Sequence, residues 1–270
     1  MKVLKNILRF YVNSSIHVAL SCFALVQITF HVFHIPYDQA MALFVFFGAI
    51  VGYNFVKYDA LVRVKRKLVR NQLKTIAVLS FVSVLLVGYY FFHLKRITQV
   101  VAVVILAITA LYTLPFFPNR KNARNWAGVK IYIVSLCWVG ATLVLPLINA
   151  EIAVTSDFFI KCIQRFILVF VLILVFEIID LANDDPHLKT VPQTIGVKKT
   201  KLLGFLLLIP FWFLEVFIST FNYHDAVINL IMVITLMLFI FFANTNRSKY
   251  YTSFWVEAVP IFWWLMVVFL

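Results

Sequence analysis

A transmembrane helix needs about 20 consecutive, mostly apolar residues, and this chain supplies such runs almost end to end, parted by short polar loops. Nine spans can be placed, at residues 15–33, 39–56, 75–92, 100–117, 129–148, 158–181, 202–220, 227–242 and 254–270. Inside hydrocarbon every backbone N–H and C=O must be paired within the protein, which leaves helices and closed barrels as the only spanning structures. No run alternates with period two, so a barrel is excluded. The expectation is an all-α, polytopic membrane protein with nine transmembrane helices, a single domain over residues 1–270. Composition agrees: 63% of the residues are hydrophobic and 13% charged, against about 45–50% and about 25% in soluble domains. Only seven glycines are present, so aromatic side chains, 17% of the chain, must fill the bundle in place of small-residue contacts.

The charges then give an orientation. Lys and Arg outnumber Asp and Glu by 24 to 11, a balance that in a soluble protein would suggest nucleic acid. Here the basic residues gather in alternate loops: Lys2, Lys5 and Arg9; the run from Lys57 to Lys74; Arg120, Lys121, Arg124 and Lys130; Lys189, Lys198, Lys199 and Lys201; Arg247 and Lys249. The opposite side keeps Lys95, Arg96, Lys161 and Arg165. By the positive-inside rule the N-terminus is cytoplasmic and the basic excess is a topology signal. No soluble domain is left over to bind nucleic acid. Residues 1–14, basic and partly amphipathic, read as an interfacial segment. Cys22, Cys137 and Cys162 lie in apolar runs without CxxC spacing and read as buried thiols.

The stretch 177–196, EIIDLANDDPHLKTVPQTIG, carries most of the chemistry. It begins inside the sixth span. At about 100° per residue, Glu177, Asp180 and Asp184 share one narrow helix face, with Asp185 beside them and His187 and Lys189 in the loop that follows. Carboxylates crowded on one face repel one another unless a divalent cation or a cationic partner compensates them. An acidic helix end in a solvated loop is the plainer reading. It does not account for Glu177 and Asp180, which are still joined to the apolar run.

Nine spans, with the richest loops after the second and sixth, resemble the UbiA family of intramembrane prenyltransferases. That family's second motif, DxxDxxxD followed by K-T-[LV]-P and a glycine, is similar to Glu177, Asp180 and Asp184, then Lys189-Thr190-Val191-Pro192, then Gly196. Its Y-S-x-P-P segment with a basic tail looks like Tyr112-Thr113-Leu114-Pro115-Phe116 with Arg120 and Lys121. The first motif, NDxxDxxxD, departs. Set on Asn54, it would need carboxylates where Phe55, Tyr58 and Val62 stand, and Asp59 is one residue off register.

The resemblance implies transfer of an isoprenyl group from its diphosphate to a lipophilic, aromatic acceptor, within the membrane and with the site at the cytoplasmic side. It implies Mg²⁺ held by Glu177, Asp180 and Asp184, catalytic roles for Asp180, Asp184 and Lys189, and diphosphate contacts from Asn54, Asp59, Arg63, Arg66, Tyr112, Arg120 and Lys121. With the first motif reduced, Lys57 and its basic neighbours would add direct cationic contacts. Two alternatives remain: a descendant that binds an isoprenoid or quinone lipid without turnover, and a secondary transporter using Glu177, Glu215 and Glu257. Glu215 reads as a structural partner for Arg165 or Lys161, and Glu257, just before Pro260, as an intramembrane carboxylate that needs a cavity or a partner. The remaining histidines scatter without ligand spacing.

Overall fold

The computed structural model of the protein describes residues 2–64, 70–113, 128–219 and 221–270, with side chains for all of these except 2–4, 59–64, 70–72 and 111–113. The described residues are helical and contain no strand. The helices are α1 (Lys2–Asn13), α2 (Ile16–Val32), α3 (Gln39–Val64), α4 (Arg70–Phe91) and α5 (Arg96–Thr113). Next come α6 (Lys130–Asn149), α7 (Ser156–Asp180), a single turn α8 (Val191–Ile195), α9 (Val197–Phe217), α10 (Tyr223–Phe242) and α11 (Tyr251–Phe269). α6 passes through a π-turn at Gly140–Val144, and α11 opens with another at Tyr251–Val256.

Among the described residues, seven helices, α3, α4, α6, α7, α9, α10 and α11, are long and apolar enough to cross a membrane. An eighth arises if α1 and α2, bent by 61°, form one broken span. The nine spans expected from hydropathy therefore become seven or eight on this criterion. α2 alone has 17 residues, and the described apolar part of α5, Arg96–Ala110, is short. The end of the fourth expected span, residues 114–117, lies outside the described residues.

The α1–α2 bend has a local cause. Ser15 takes a left-handed backbone, φ 63°, which interrupts the helix and ends the regular pairing of the last α1 carbonyls, Val12 O keeping the Ser15 N–H at 3.3 Å. α3 supplies further donors. Lys57 Nζ donates to the carbonyls of Val12 (3.5 Å) and Asn13 (3.3 Å), and the Tyr58 hydroxyl donates to Asn13 O at 2.7 Å. Lys57, expected to face a diphosphate, instead closes the end of α1.

α7 is the axis of the bundle: 72% of its span is buried, against 11% for α4 at the periphery. Leu168, Val171, Leu172, Val175 and Ile178 pack against Leu25 and Ile28 of α2, Leu208 and Phe211 of α9, Met232 and Leu236 of α10, and Val259 and Trp263 of α11. The next residues round α2, Cys22, Val26 and Phe30, join a second cluster with Met41 and Val45 of α3, Ala102 of α5 and Leu143 and Leu147 of α6. α2 thus divides two packed layers. Lipid tails are as apolar as these side chains, so burial alone gives little drive to associate, and packing and polar contacts between helices must hold the bundle.

Those polar contacts run through α7. The Glu215 carboxylate accepts from Lys161 Nζ (3.0 and 2.9 Å), Gln164 Nε2 (2.9 Å) and Asn229 Nδ2 (2.6 Å), joining α7, α9 and α10. Arg165, one residue on, makes no ion pair among the described residues. Its guanidinium donates to Leu25 O (3.2 Å), Thr142 Oγ1 (2.8 Å) and Thr29 Oγ1 (3.4 Å) and lies over the Trp263 ring at 5.9 Å. Lys161 and Arg165, both within the sixth expected span, lie inside the bundle, with Arg165 only 4% exposed; of the two partners expected for Glu215, Lys161 is the one that meets it.

Glu215→Ala strands the Lys161 charge among apolar neighbours. It is expected to cost about 3–5 kcal/mol, as for other buried pairs broken on one side, read as a lower melting temperature in detergent. The double replacement Lys161→Met with Glu215→Met is expected to cost less, and equal melting of Glu215→Ala and wild type would remove the network's structural role.

Candidate functional site

The apolar face of α7 ends in carboxylates, and the chain turns back on them at once. The Asp180 carbonyl accepts from the N–H groups of Asn183 (2.7 Å) and Asp184 (2.9 Å), which sets Asp184 one turn beyond the helix end. Asp185 Oδ1 then accepts from His187 N (2.9 Å) and starts a 3₁₀ turn over Pro186–Leu188. Lys189 takes a left-handed backbone, φ 44°. Gln193 Oε1 accepts the Thr190 N–H at 2.9 Å, and Pro192 sits in the first turn of α8, where its missing N–H costs nothing. Gly196, at φ 81° and ψ 157°, is in a region that only glycine enters without strain, and it lets α9 leave in a new direction.

Glu177 holds this loop down. Its side chain is buried, 2% exposed, and Oε2 accepts the Val191 N–H at 3.0 Å. A carboxylate at the open N-terminal end of a helical turn meets unpaired N–H groups and a favourable dipole. The loop also ties back to the start of α6, where Gly128 N donates to Leu188 O at 3.2 Å. Lys130, two residues on, is electrostatically attractive to both Glu177 and Asp180, Lys249 to Asp180, and Asp184 acts against both carboxylates. The site is therefore an acidic patch between the end of α7, the start of α6 and the α10–α11 loop.

The expected residues fare differently. Glu177, Asp180 and Asp184 share one end of the bundle, but they do not converge as metal donors; among the described residues no group of three or more His, Cys, Asp or Glu is placed to hold a metal ion. Lys189 is exposed on the same loop, as is His187. Asn54 is buried, and its Nδ2 donates to Ser80 Oγ (2.9 Å), so its amide is turned to α4. Asp59 and Arg63 lie on α3 and Tyr112 on α5, but their side chains are outside the described set; Arg66, Arg120 and Lys121 lie outside the described residues altogether. Lys130 and Lys249 were counted as topology charges and missed as site residues. Their signal was available only as basic residues beside an apolar run.

Glu257, half-buried in α11, offers its backbone carbonyl to the Ser21 hydroxyl. Its carboxylate is felt by Lys57, Tyr11 and Cys22, which places it toward α1–α3 rather than in the acidic patch.

The donors present suit a hard cation in part. Asp184 Oδ2 is buried with no hydrogen-bond partner, an orphaned acceptor of the kind that a cation would satisfy. Mg²⁺ commonly takes one or two carboxylates and completes its shell with water and substrate phosphate. Asp180 and Asp184 fit that demand, while Glu177 has one oxygen committed to Val191.

The fold is shared with known proteins. A UbiA homologue from Archaeoglobus fulgidus, solved bound to GPP and Mg²⁺, superposes with a TM-score of 0.66 at 14% identity, covering 96% of this chain and 98% of that one. The apo structure of a UbiA homologue from Aeropyrum pernix K1 gives 0.64 at 15% identity, covering 96% and 97%. The protein is thus an integral membrane helical bundle with the UbiA fold over nearly its whole length. No family model and no curated protein matches the sequence.

Glu177→Ala removes the acceptor of the Val191 N–H. A hydrogen bond to a charged group is worth about 1.5–3 kcal/mol, so amide exchange in the 190–195 turn is expected to rise about 10–100-fold. Glu177→Gln, which keeps a carbonyl acceptor, should recover most of the protection; unchanged exchange in Glu177→Ala would show that the loop is held by other contacts.

Proposed function

We propose that this chain is a divergent member of the UbiA family and acts on an isoprenyl diphosphate, transferring the isoprenyl group to a lipophilic acceptor. The observation that carries this reading is the acidic patch at the end of the buried α7, with the orphaned Asp184 oxygen, on a bundle whose fold matches a protein solved with GPP and Mg²⁺. Of the three carboxylates, Glu177 is the one that bonds the loop among the described residues, through Val191 N.

In the reaction the bond between isoprenyl C1 and the diphosphate oxygen breaks, a carbon or heteroatom of the acceptor bonds to C1, and the acceptor loses a proton. The difficulty is charge: diphosphate must leave into a site that excludes water. Asp180 and Asp184 would hold Mg²⁺, which when bound neutralises and orients the departing phosphates. Lys130 and Lys249 limit the repulsion between the carboxylates before substrate arrives and offer cationic contacts afterwards. Glu177 fixes the loop that carries Asp184 and Lys189. The apolar tail would run from this end into the apolar bundle. The excess of basic residues in the loops at this end supports a cytoplasmic site and a cytoplasmic N-terminus, with α1 lying at the interface.

A second reading, binding without turnover, draws on Asn54. With its Nδ2 given to Ser80, only Oδ1 left over and carboxylates absent from the neighbouring motif positions, the α3 half of the diphosphate site is weak. Transport is disfavoured on a specific ground: Glu215 accepts from three side chains and has no capacity left for a travelling ion.

Geranyl diphosphate is expected to bind the purified protein, more tightly with Mg²⁺ than without. Asp184→Asn and Asp180→Asn should each weaken Mg²⁺-dependent binding about tenfold or more, the scale of one lost charge-assisted contact, measured by calorimetry in detergent. Labelled product with a panel of hydroxyaromatic acceptors then separates transferase from binding protein. A folded protein that binds no geranyl diphosphate with Mg²⁺ present sinks both readings.

A further inference from the structure

Away from the acidic patch, α10 carries a groove. Thr235, Leu238, Phe239 and Phe242 recur at i, i+3, i+4 and i+7, one continuous helix face, and with Arg247 and Tyr251 they line a cavity of about 500 Å³. Seven residues at a 1.5 Å rise make this face about 10 Å long. Leu238 and Phe242 are exposed, so the groove opens sideways from the bundle. Its deep end lies within the apolar span Tyr223–Phe242 and its mouth where that span stops.

The mouth is built around Arg247. Nε donates to the last helical carbonyl, Phe242 O, at 3.1 Å. The guanidinium lies 6.0 Å from the Phe242 ring and 5.5 Å from the Tyr251 ring. Tyr251 is itself fixed by its hydroxyl, which donates to Phe239 O at 2.8 Å. Both Nη groups are left without a protein partner among the described residues, and no described carboxylate pairs with this side chain. Arg247 is exposed; capping α10 uses Nε alone and leaves the paired donors, close to two rings, open to a ligand.

We propose that this groove binds an anionic phospholipid of the bilayer, its phosphate on the Nη groups of Arg247 and one acyl chain along the Thr235–Phe242 face. The walls are apolar and open to the side, which suits a chain entering from the membrane. A guanidinium with two free donors suits a phosphate bidentately. The site prefers a net negative headgroup because the Arg247 charge would repel the choline or ethanolamine of a zwitterionic lipid.

The test uses the full chain purified in detergent, with its melting temperature followed during titration with phosphatidylglycerol, phosphatidylcholine or inorganic phosphate. Phosphatidylglycerol is expected to bind about tenfold more tightly than phosphatidylcholine, the effect of one charge-assisted pair, and phosphate alone not to stabilise. Arg247→Gln should abolish the preference between the two lipids. Leu238→Trp, which fills the groove and leaves Arg247 in place, should weaken phosphatidylglycerol and keeps the comparison available if Arg247→Gln folds poorly. The proposal is overturned by equal stabilisation from both lipids, by no stabilisation from either, by stabilisation from phosphate alone, or by an undiminished preference in both variants.

Discussion

A polar group in the buried middle of α7 has no water to turn to. This helix is buried by protein over most of its length, so each charged or amide side chain along it must find a partner on a neighbouring helix or remain unpaired at high cost. The bundle follows from how those demands are met. Lys161 and Gln164 draw in α9 and α10 through Glu215, and Arg165 draws in α2 and α6 through two threonines and a carbonyl. Apolar contacts fill the space between, but in a lipid solvent they do not choose the neighbours. Charged and amide side chains placed on one helix therefore fix which helices touch it.

The same logic explains the acidic end. Glu177 is deep enough to need a partner and finds one in the Val191 N–H. Asp180 and Asp184, one and two turns further out, are left for solvent, cations or ligand. One row of carboxylates thus divides by depth into an anchor and the pair proposed above to bind a cation. That division is compatible with a cation held by two carboxylates and substrate oxygens, and it needs no cage built entirely from protein.

Much of the fold was legible because hydropathy reports length and the helix period reports faces. The run from Phe158 to Leu181 reads as a span, and it is the axis; the spacing of Glu177, Asp180 and Asp184 reads as one face, and it lies at one end of the bundle. Partners were mostly not legible. An intramembrane Glu215 called for Lys161 or Arg165, and Lys161 meets it. Nothing in the sequence distinguishes a Lys57 that meets phosphate from one that caps α1, or an Asn54 that meets ligand from one that bonds Ser80. Nor does it show that Arg165 is tolerated in the core by three acceptors on other helices. A period places a residue on a face; the neighbours that Arg165 bonds across that face come from residues between 23 and 140 positions away.

The clasp between α1 and α3 reaches beyond the bend that it stabilises. Lys57 and Tyr58 grip the end of α1 from the turn of α3 that immediately follows Asn54. The N-terminal helix is consequently a lever, with its fulcrum at Ser15 and its short arm fastened to the helix on which the second half of a diphosphate site would have to be built. Whatever α1 rests on, a lipid surface or another protein, can pull on α3 without touching any residue of the acidic loop.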